Sequence, residues 1–171
     1  MVTIRPRTAE DLDSCIEVLR HVYDKDGYPV QGTKTAKAFL TQAHTQQAWI
    51  AERDSQIIGH VAVSEASEKD VSVKLWRKRH PDVPIAVLER LFVDPEGRGG
   101  GVASKLMAAT VDWARERQIR LVLFGLIKDQ GAIRLYERLG WVEFGKTEFR
   151  WGDGQSMEAT CFASPDFHEN A

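Results

Sequence analysis

Apolar residues recur along the first third of the chain at spacings that differ from one segment to the next. A short β-prone piece at Val2–Arg5 precedes Thr8, a residue type that commonly caps a helix, and two acids follow it. Apolar side chains then repeat at helical spacing from Leu12 to Tyr23, which predicts an amphipathic helix. A second helix, less sharply patterned, is predicted from Thr33 to about His44. The chain is therefore expected to start with one strand and two helices.

The next stretch alternates between apolar runs and polar segments. The runs Ala48–Ala51 and Ile57–Val63 flank a polar segment and predict a β-hairpin. Residues 64–84 are polar and charged, which predicts a loop or a short irregular helix. That segment carries a basic cluster, which we interpret as a solvated face, made of Lys74, Arg77, Lys78, Arg79 and His80. Ile85–Val93 is the next predicted strand.

The remaining elements follow a glycine-rich turn at residues 97–101. A long helix begins after this turn, and its apolar positions lie on one side. The continuous apolar run Leu121–Leu126 predicts a strand covered on both faces. A helix from Asp129 to Gly140 precedes two further strands, Trp141–Phe149 and Met157–Phe162. The order β-α-α-β-β-β-α-β-α-β-β predicts a mixed α/β fold. We expect one domain over residues 1–171, with a polar tail from about Pro165.

Composition and charge narrow the possible functions. Hydrophobic residues make up 43% of the chain and charged residues 28%, which is typical of a globular protein. The formal net charge of -2 argues against nucleic acid as a partner. No stretch approaches the roughly 20 apolar residues that cross a bilayer, so no membrane partner is expected. Cys15 and Cys161 are far apart in sequence and are interpreted as small buried hydrophobes. We expect a cytoplasmic location, since the charged N-terminus lacks the apolar run of a signal peptide.

The glycine-rich turn is the most informative segment. Gly99, Gly100 and Gly101 separate a buried strand from a helix, so backbone N–H groups can converge there without side chains in the way. The unpaired N–H groups and the dipole of the helix start favour a phosphate or pyrophosphate. A Walker-type loop does not match, and the dinucleotide fingerprint fails because its last position falls on Val102 or Ser104. The alternative is a tight connection without a ligand, although three consecutive glycines make it unattractive.

Two motifs together resemble the GNAT superfamily of N-acetyltransferases over nearly the whole chain. Residues 98–103, with Arg98, Gly101 and Ala103, are similar to that family's pyrophosphate-binding motif, Gln/Arg-x-x-Gly-x-Gly/Ala. Residues 131–141, from Gly131 through Tyr136 to Trp141, resemble its second signature. The resemblance implies a strongly twisted mixed sheet of six or seven strands flanked by about four helices. It also implies acetyl-CoA as donor without a metal, direct acetyl transfer to a primary amine in a ternary complex, and possible homodimers.

The resemblance also implies which residues form the site. Tyr136 is the expected acid for the coenzyme thiolate, and the alternative is a core aromatic with its hydroxyl tied to a neighbour. Independently of the resemblance, Glu89 is the expected base, because a carboxylate buried in an apolar central strand would have a raised pKa. The alternatives are a structural ion pair with an arginine such as Arg90 and, as in many family members, deprotonation of the amine through a chain of water molecules. Strand alternation places Glu89 on the face of Val87 unless a bulge intervenes. The residues expected to hold acetyl-CoA are Leu91, Phe92, Val93, Arg98, Gly99, Gly100, Gly101, Val102, Ala103, Ser104, Asp129 and Ala132.

Two departures and two rival functions remain. Asp129 stands where the family often has Asn, so an amide donor is missing although the aspartate could still cap the helix. Trp141 replaces a usual Phe as an apolar anchor. One rival is a catalytically silent acyl-CoA-binding sensor, which would not need Tyr136 or Glu89. The other is a dinucleotide-dependent oxidoreductase, whose fingerprint is missing. His60, alone in an apolar run, is interpreted as structural, and no residue pattern identifies the acceptor amine.

Overall fold

The computed structural model describes residues 1–165 of the 171 in the chain. Its strands are β1 (Thr3–Pro6), β2 (Thr45–Arg53), β3 (Gln56–Glu65), β4 (Ile85–Val93), β5 (Arg120–Leu126), β6 (Val142–Trp151) and β7 (Gln155–Ala163). Its α-helices are α1 (Leu12–Asp26), α2 (Ala36–Leu40), α3 (Val71–Arg79), α4 (Val102–Glu116) and α5 (Gln130–Arg138). The polar tail predicted beyond Pro165 lies outside the described residues.

The strands form one mixed sheet in the order β1-β2-β3-β4-β5-β7-β6. β2 is antiparallel to β1 and β3, and β7 is antiparallel to β5 and β6. β4 and β5 are parallel, and their ladder has three pairs, from Ile85↔Arg120 to Val87↔Val122. β5 is buried on both faces, as its continuous apolar run predicts. The mixed α/β fold and the strand number expected from the sequence are confirmed, while the described residues contain five α-helices rather than about four.

The additional helix is α3, which lies in the segment for which the sequence predicted a loop or a short irregular helix. The Asp70 side chain caps it by accepting hydrogen bonds from the backbone N–H groups of Ser72 (2.8 Å) and Val73 (3.3 Å). Val73 and Trp76 are buried, while most of the basic residues point outward. Only two of nine positions are large buried hydrophobes, so the apolar period was too weak to indicate a helix.

The second helix is shorter than the pattern predicted. It has five residues, because polar side chains take the carbonyls of its last turn. The hydroxyl of Thr41 donates to the carbonyl of Lys37 (2.7 Å), and the amide of Gln42 donates to that of Ala38 (2.8 Å). Such local bonds compete with helix continuation. The segment from Thr41 to the start of β2 is therefore a loop.

The described chain divides into two compact units. The first contains residues 1–64 and 89–110, and the second contains residues 65–88 and those from Val111 onward. The core of the first unit consists of Cys15, Val18, Leu19, Val22, Ala36, Leu40, Ile50 and Phe92. The core of the second consists of Val73, Trp76, Val87, Val122 and Ala163. No helix among the described residues is long and apolar enough to span a membrane.

Candidate active site

The glycine turn of the first unit has an unusual backbone. Gly99, Gly100 and Gly101 all have positive φ, at 95°, 68° and 73°. All three are exposed, and α4 begins at the next residue. The Lys105 N–H donates to the Gly101 carbonyl (2.9 Å), so the N–H groups of the preceding three residues have no helical carbonyl to reach. Three left-handed glycines followed by an open helix start form a concave backbone suited to bind an anion.

Side chains on both sides of the turn fix its position. The Asp94 carboxylate accepts a hydrogen bond from the Glu96 N–H (3.0 Å), and its other oxygen lies 3.1 Å from His21 Nδ1. The hydrogen bond to Asp94 raises the pKa of His21. The Arg98 guanidinium donates to the Val93 carbonyl (3.2 Å) and pairs with Asp26 at the end of α1 (2.5 Å). The side chain of Arg98 is thus engaged with the protein itself.

β4 has a kink immediately before the residues expected to hold the coenzyme. Arg90 has φ 56°, which few residues other than glycine adopt, and the alternation of side chains breaks there. Beyond it, Leu91 is half-buried, and Phe92 and Val93 are buried. The kink follows Glu89, so it leaves the predicted alternation from Val87 to Glu89 unaffected and interrupts the alternation from Glu89 to Leu91.

His60 supports the kink from β3. Its Nδ1 lies 2.8 Å from the Arg90 carbonyl oxygen, and its Nε2 lies 2.9 Å from Nη1 of Arg7. Arginine only donates, so Nε2 is the acceptor and the proton is on Nδ1. Complete burial lowers the pKa of His60 to about 3, and its ring stacks on Phe92 at 5.0 Å. These contacts support the structural interpretation of His60.

Glu89 lies in a network of polar side chains. Its carboxylate accepts hydrogen bonds from the Ser64 hydroxyl and the Arg90 guanidinium, both at 2.5 Å. His44 Nε2 lies 3.4 Å from the same carboxylate. Arg90 in turn donates to the Phe39 carbonyl (3.2 Å) and lies over the Phe39 ring. The ion pair with Arg90, one of the two alternatives for Glu89, is present in the structure because the kink allows it.

The sequence did not indicate Ser64 or His44 as partners of Glu89. Ser64 ends an apolar run and is buried with 1% of its surface exposed, so a hydroxyl in that position was a usable signal. His44 was read as the end of a predicted helix, and it reaches Glu89 only because α2 stops at Leu40. The pair therefore depends on a loop conformation that no local pattern encodes.

Tyr136 belongs to the second unit and lies on α5. It is buried, its ring lies 5.5 Å from that of Phe162, and Gly125 leaves room for it. Among the described residues no group hydrogen-bonds to its hydroxyl, and the hydroxyl is not among the fully buried unpaired atoms. Burial, with the negative charge of Asp129, raises the pKa of Tyr136, so the phenol stays protonated. Its hydroxyl is a hydrogen-bond donor to which no described residue is bonded.

The other two residues expected near the coenzyme also lie at the start of α5. The carbonyl of Asp129 accepts hydrogen bonds from the N–H groups of Ala132 and Ile133, both at 3.1 Å. The side chain of Asp129 makes no capping bond, which corrects the expectation that its carboxylate could cap the helix. The predicted site residues therefore fall into two groups. Glu89 and residues 91–104 lie in the first unit, and Asp129, Ala132 and Tyr136 lie in the second.

The described residues include neither an exposed thiol nor a cluster of side chains suited to a metal ion. Cys15 and Cys161 are buried free thiols, and burial raises their pKa values to about 11 and about 12. A thiol of that kind is a weak nucleophile at neutral pH. Within residues 1–165 no group of three His, Cys, Asp or Glu side chains could hold a metal ion.

A seven-stranded mixed sheet, with a glycine turn suited to a phosphate at the start of a helix, defines a class of α/β proteins that bind phosphorylated ligands. The sequence model of the acetyltransferase (GNAT) family matches residues 16–141. The chain belongs to the GNAT acetyltransferase family. The family expected from the two sequence motifs is thus confirmed.

Individual relatives agree with this assignment. The chain is 29% identical over 147 residues to an uncharacterised N-acetyltransferase of Methanocaldococcus jannaschii, MJ1207, covering 82% of this chain and 61% of that protein. The fold is similar to that of Arabidopsis thaliana NAA60 in complex with acetyl-CoA (TM-score 0.70, 19% identity, 95% of this chain and 97% of that chain). A Streptococcus pneumoniae acetyltransferase of the GNAT family is also similar (TM-score 0.70, 17% identity, 96% and 99% coverage).

Proposed function

We propose that this protein transfers the acetyl group of acetyl-CoA to a primary amine. The observation that carries the proposal is the run of three left-handed glycines, Gly99 to Gly101, at the start of α4. Family membership supplies the chemistry, and NAA60, a structural neighbour, binds acetyl-CoA. The backbone N–H groups of residues 99–104 bind the pyrophosphate. The backbone of Leu91 to Val93 holds the pantetheine arm.

The reaction is a direct transfer in a ternary complex. The neutral amine nitrogen attacks the thioester carbonyl carbon, and the carbon–sulfur bond then breaks. Glu89 accepts the proton that leaves the amine, and Tyr136 donates a proton to the departing thiolate. A tyrosine phenol is protonated at neutral pH and so has a proton to donate, although burial raises the pKa of Tyr136 and makes it a weaker acid than an exposed tyrosine. The buried thiols of Cys15 and Cys161 support a mechanism without an acetyl-enzyme, since neither offers an accessible thiolate.

The competing function is that of a silent acyl-CoA sensor. The contacts of Glu89 with Ser64 and Arg90 give that residue a structural role which a sensor could also use. The hydroxyl of Tyr136, to which none of the described residues is bonded, has no such structural role and favours catalysis. A small amine, an amino acid and a protein amine are all compatible with the reaction.

The test is calorimetric titration with acetyl-CoA, with NAD and ATP as controls. We expect saturable binding of acetyl-CoA alone. Amines are then screened for release of free thiol from acetyl-CoA, with mass spectrometry of the acetylated product. Binding without transfer to any amine would favour the sensor. No binding by properly folded protein would contradict the assignment of the glycine turn.

A further inference from the structure

A polar pocket of about 390 Å³ lies in the first unit, beside the loop between α2 and β2. It is lined by Arg7, Thr41, Gln42, Thr45, Gln46, Gln47 and Ala48. Its side chains are hydroxyls and amides, apart from one alanine and one arginine. The lining contains no acid, so the Arg7 guanidinium is the only charge in the pocket wall.

Arg7 is held firmly but has no acidic partner. Its backbone N–H donates to the Ala48 carbonyl (2.9 Å), and Nη1 of its guanidinium donates to Nε2 of His60 (2.9 Å). None of the ion pairs among the described residues includes Arg7. Asp11, the nearby acid in the sequence, is occupied by two hydrogen bonds from Arg5, both at 2.8 Å. A guanidinium has five N–H donors, so four remain for a ligand.

His60, the side chain that binds Arg7, does not neutralise the positive charge of the guanidinium. His60 is neutral because burial lowers its pKa to about 3, and it takes one hydrogen bond without balancing the charge. A half-buried guanidinium with unused donors binds a carboxylate in a bidentate fashion. The amides and hydroxyls around it can bind the same oxygens. The chemistry of the pocket therefore fits a carboxylate.

The pocket lining lies one strand away from a residue that binds Glu89. It follows β2 from Ala48 to Thr45, and in the β2–β3 register these residues pair with Ala62 and Ser64. Ser64 is the residue whose hydroxyl binds Glu89. His60, which binds Arg7, and Ser64 lie on the same face of β3, four residues or about 13 Å apart along the strand. The cation of the pocket and the proposed base are thus both hydrogen-bonded to residues of β3.

We infer that the acceptor is an amine with a carboxylate several bonds from the nitrogen, and that Arg7 binds this carboxylate. The inference rests on the proposed function and names the class of its acceptor. A long-chain diamino acid, reacting at its side-chain amine, and a dipeptide, reacting at its N-terminus, both have this chemistry. Both kinds of acceptor carry a carboxylate that Arg7 can bind and a primary amine that can attack the thioester.

The test compares acceptors that differ only in the carboxylate. Lysine is paired with cadaverine, and dialanine with dialanine amide, and kcat/KM is measured for each at saturating acetyl-CoA. For at least one pair we expect the carboxylate-bearing member to be preferred by tenfold or more, through a lower KM. The pair that shows the preference distinguishes the diamino acid from the dipeptide. Equal kcat/KM values within both pairs would overturn the inference.

Variants tie the preference to the pocket. Arg7→Gln should reduce the ratio within the preferred pair to about one, and Arg20→Gln, an exposed arginine on α1, should leave it unchanged. Gln46→Glu provides a second route, because it places an acid in the pocket while Arg7 and its bond to His60 stay intact. It should raise the KM of the carboxylate acceptor several-fold. A preference that survives both pocket variants would contradict the role of Arg7.

Failure of this inference can be separated from failure of the proposed function. Calorimetry of lysine and dialanine without acetyl-CoA measures the pocket alone. Saturable binding that Arg7→Gln abolishes, without acetyl transfer to any amine, would overturn the proposed function and retain the carboxylate site. Acetyl transfer without a preference for a carboxylate would retain the proposed function and overturn the carboxylate site.

Discussion

His60 Nδ1 donates a hydrogen bond to the carbonyl oxygen of Arg90, at 2.8 Å, across the β3–β4 neighbour pair. Arg90 has a left-handed backbone, with φ 56°, and its guanidinium pairs with Glu89. A non-glycine residue in that conformation costs roughly 1–2 kcal/mol, so the surrounding structure has to stabilise it. A buried neutral histidine thus helps to hold the kink that sets the surroundings of Glu89.

Acid should destabilise the protein through His60. Its pKa falls from 6.5 to about 3 on folding, so between these values the unfolded chain binds a proton that the folded protein does not. The free energy of unfolding therefore decreases as the pH falls below 6.5, by up to about 1.4 kcal/mol per pH unit. Denaturant unfolding at pH 7 and pH 5 should show a difference of about 2 kcal/mol from this group.

His60→Gln is the variant that isolates this effect. The variant should be less stable at pH 7, but its free energy of unfolding should change much less between pH 7 and pH 5. His21→Gln is the control, because contact with Asp94 raises the pKa of His21. The stability that His21 supplies is present at low pH and is lost as the pH rises through its folded pKa, so its effect has the opposite sign. If the free energy of unfolding of His60→Gln still decreased as strongly with falling pH, groups other than His60 would cause the decrease.

Glu89→Gln tests the proposed base. The amide keeps the size of the side chain, so we expect near wild-type affinity for acetyl-CoA with kcat/KM for the acceptor reduced about 10²-fold or more. The loss should shrink for a weakly basic acceptor that is already neutral at the assay pH, since no proton has to be removed before attack. An equal loss for both acceptors would assign Glu89 a structural role through Arg90.

His44→Gln tests whether His44, which lies beside the Glu89 carboxylate, contributes to the reaction. His44 Nε2 lies 3.4 Å from Glu89 and its side chain is 39% exposed, so it can exchange protons with solvent. We expect a reduction of kcat/KM by about threefold to tenfold. Combined with Glu89→Gln, it should cause little further loss, because the two groups act on one proton. Multiplicative losses in the double variant would indicate independent roles.

The elements around the glycine turn could be predicted from the sequence. β4, α4, β5 and α5 each have a clear apolar period or a continuous apolar run, and Pro84, Asp94, Gly101, Asp129 and Gly140 lie close to several of their ends. The apolar face of each of these elements is therefore defined by the sequence, and tertiary packing only decides which faces contact each other. Gly99 to Gly101 were equally clear, since three glycines at a helix start require a backbone reason.

The parts that escaped prediction depend on tertiary contacts. The left-handed conformation of Arg90 has no signal in the sequence, because neither glycine nor asparagine stands there. His60 and Arg7, which support it, lie 30 and 83 positions earlier in the chain, and long-range hydrogen bonds leave no local pattern. α3 could not be distinguished from a loop because its outer face is almost wholly charged. The sequence thus indicated the glycine turn better than the surroundings of Glu89.

Tyr136→Phe tests the proposed acid. Phenylalanine keeps the packing against Phe162 and removes only the hydroxyl, to which no described residue is bonded. We expect kcat to fall by tenfold or more while the calorimetric affinity for acetyl-CoA stays within about twofold. Tyr23→Phe is the matched control, since it removes a hydroxyl from an exposed tyrosine on α1 and should leave kcat unchanged. Unchanged turnover in Tyr136→Phe would mean that water protonates the thiolate.

Gly101→Val should abolish binding of acetyl-CoA. A Cβ at this position meets no atom within 4 Å, so steric clash is not the reason. The φ of 73° strains any side chain, and the added carbons fill the space toward which the N–H groups converge. Gly154→Val is the matched control, because Gly154 has φ 76° and equally open surroundings in the β6–β7 turn. Both variants carry the same strain, so a similar loss of thermal stability is expected, but only Gly101→Val should lose saturable binding in calorimetry. Retained micromolar affinity in Gly101→Val, or a loss of binding in both variants, would mean that the turn does not bind the pyrophosphate.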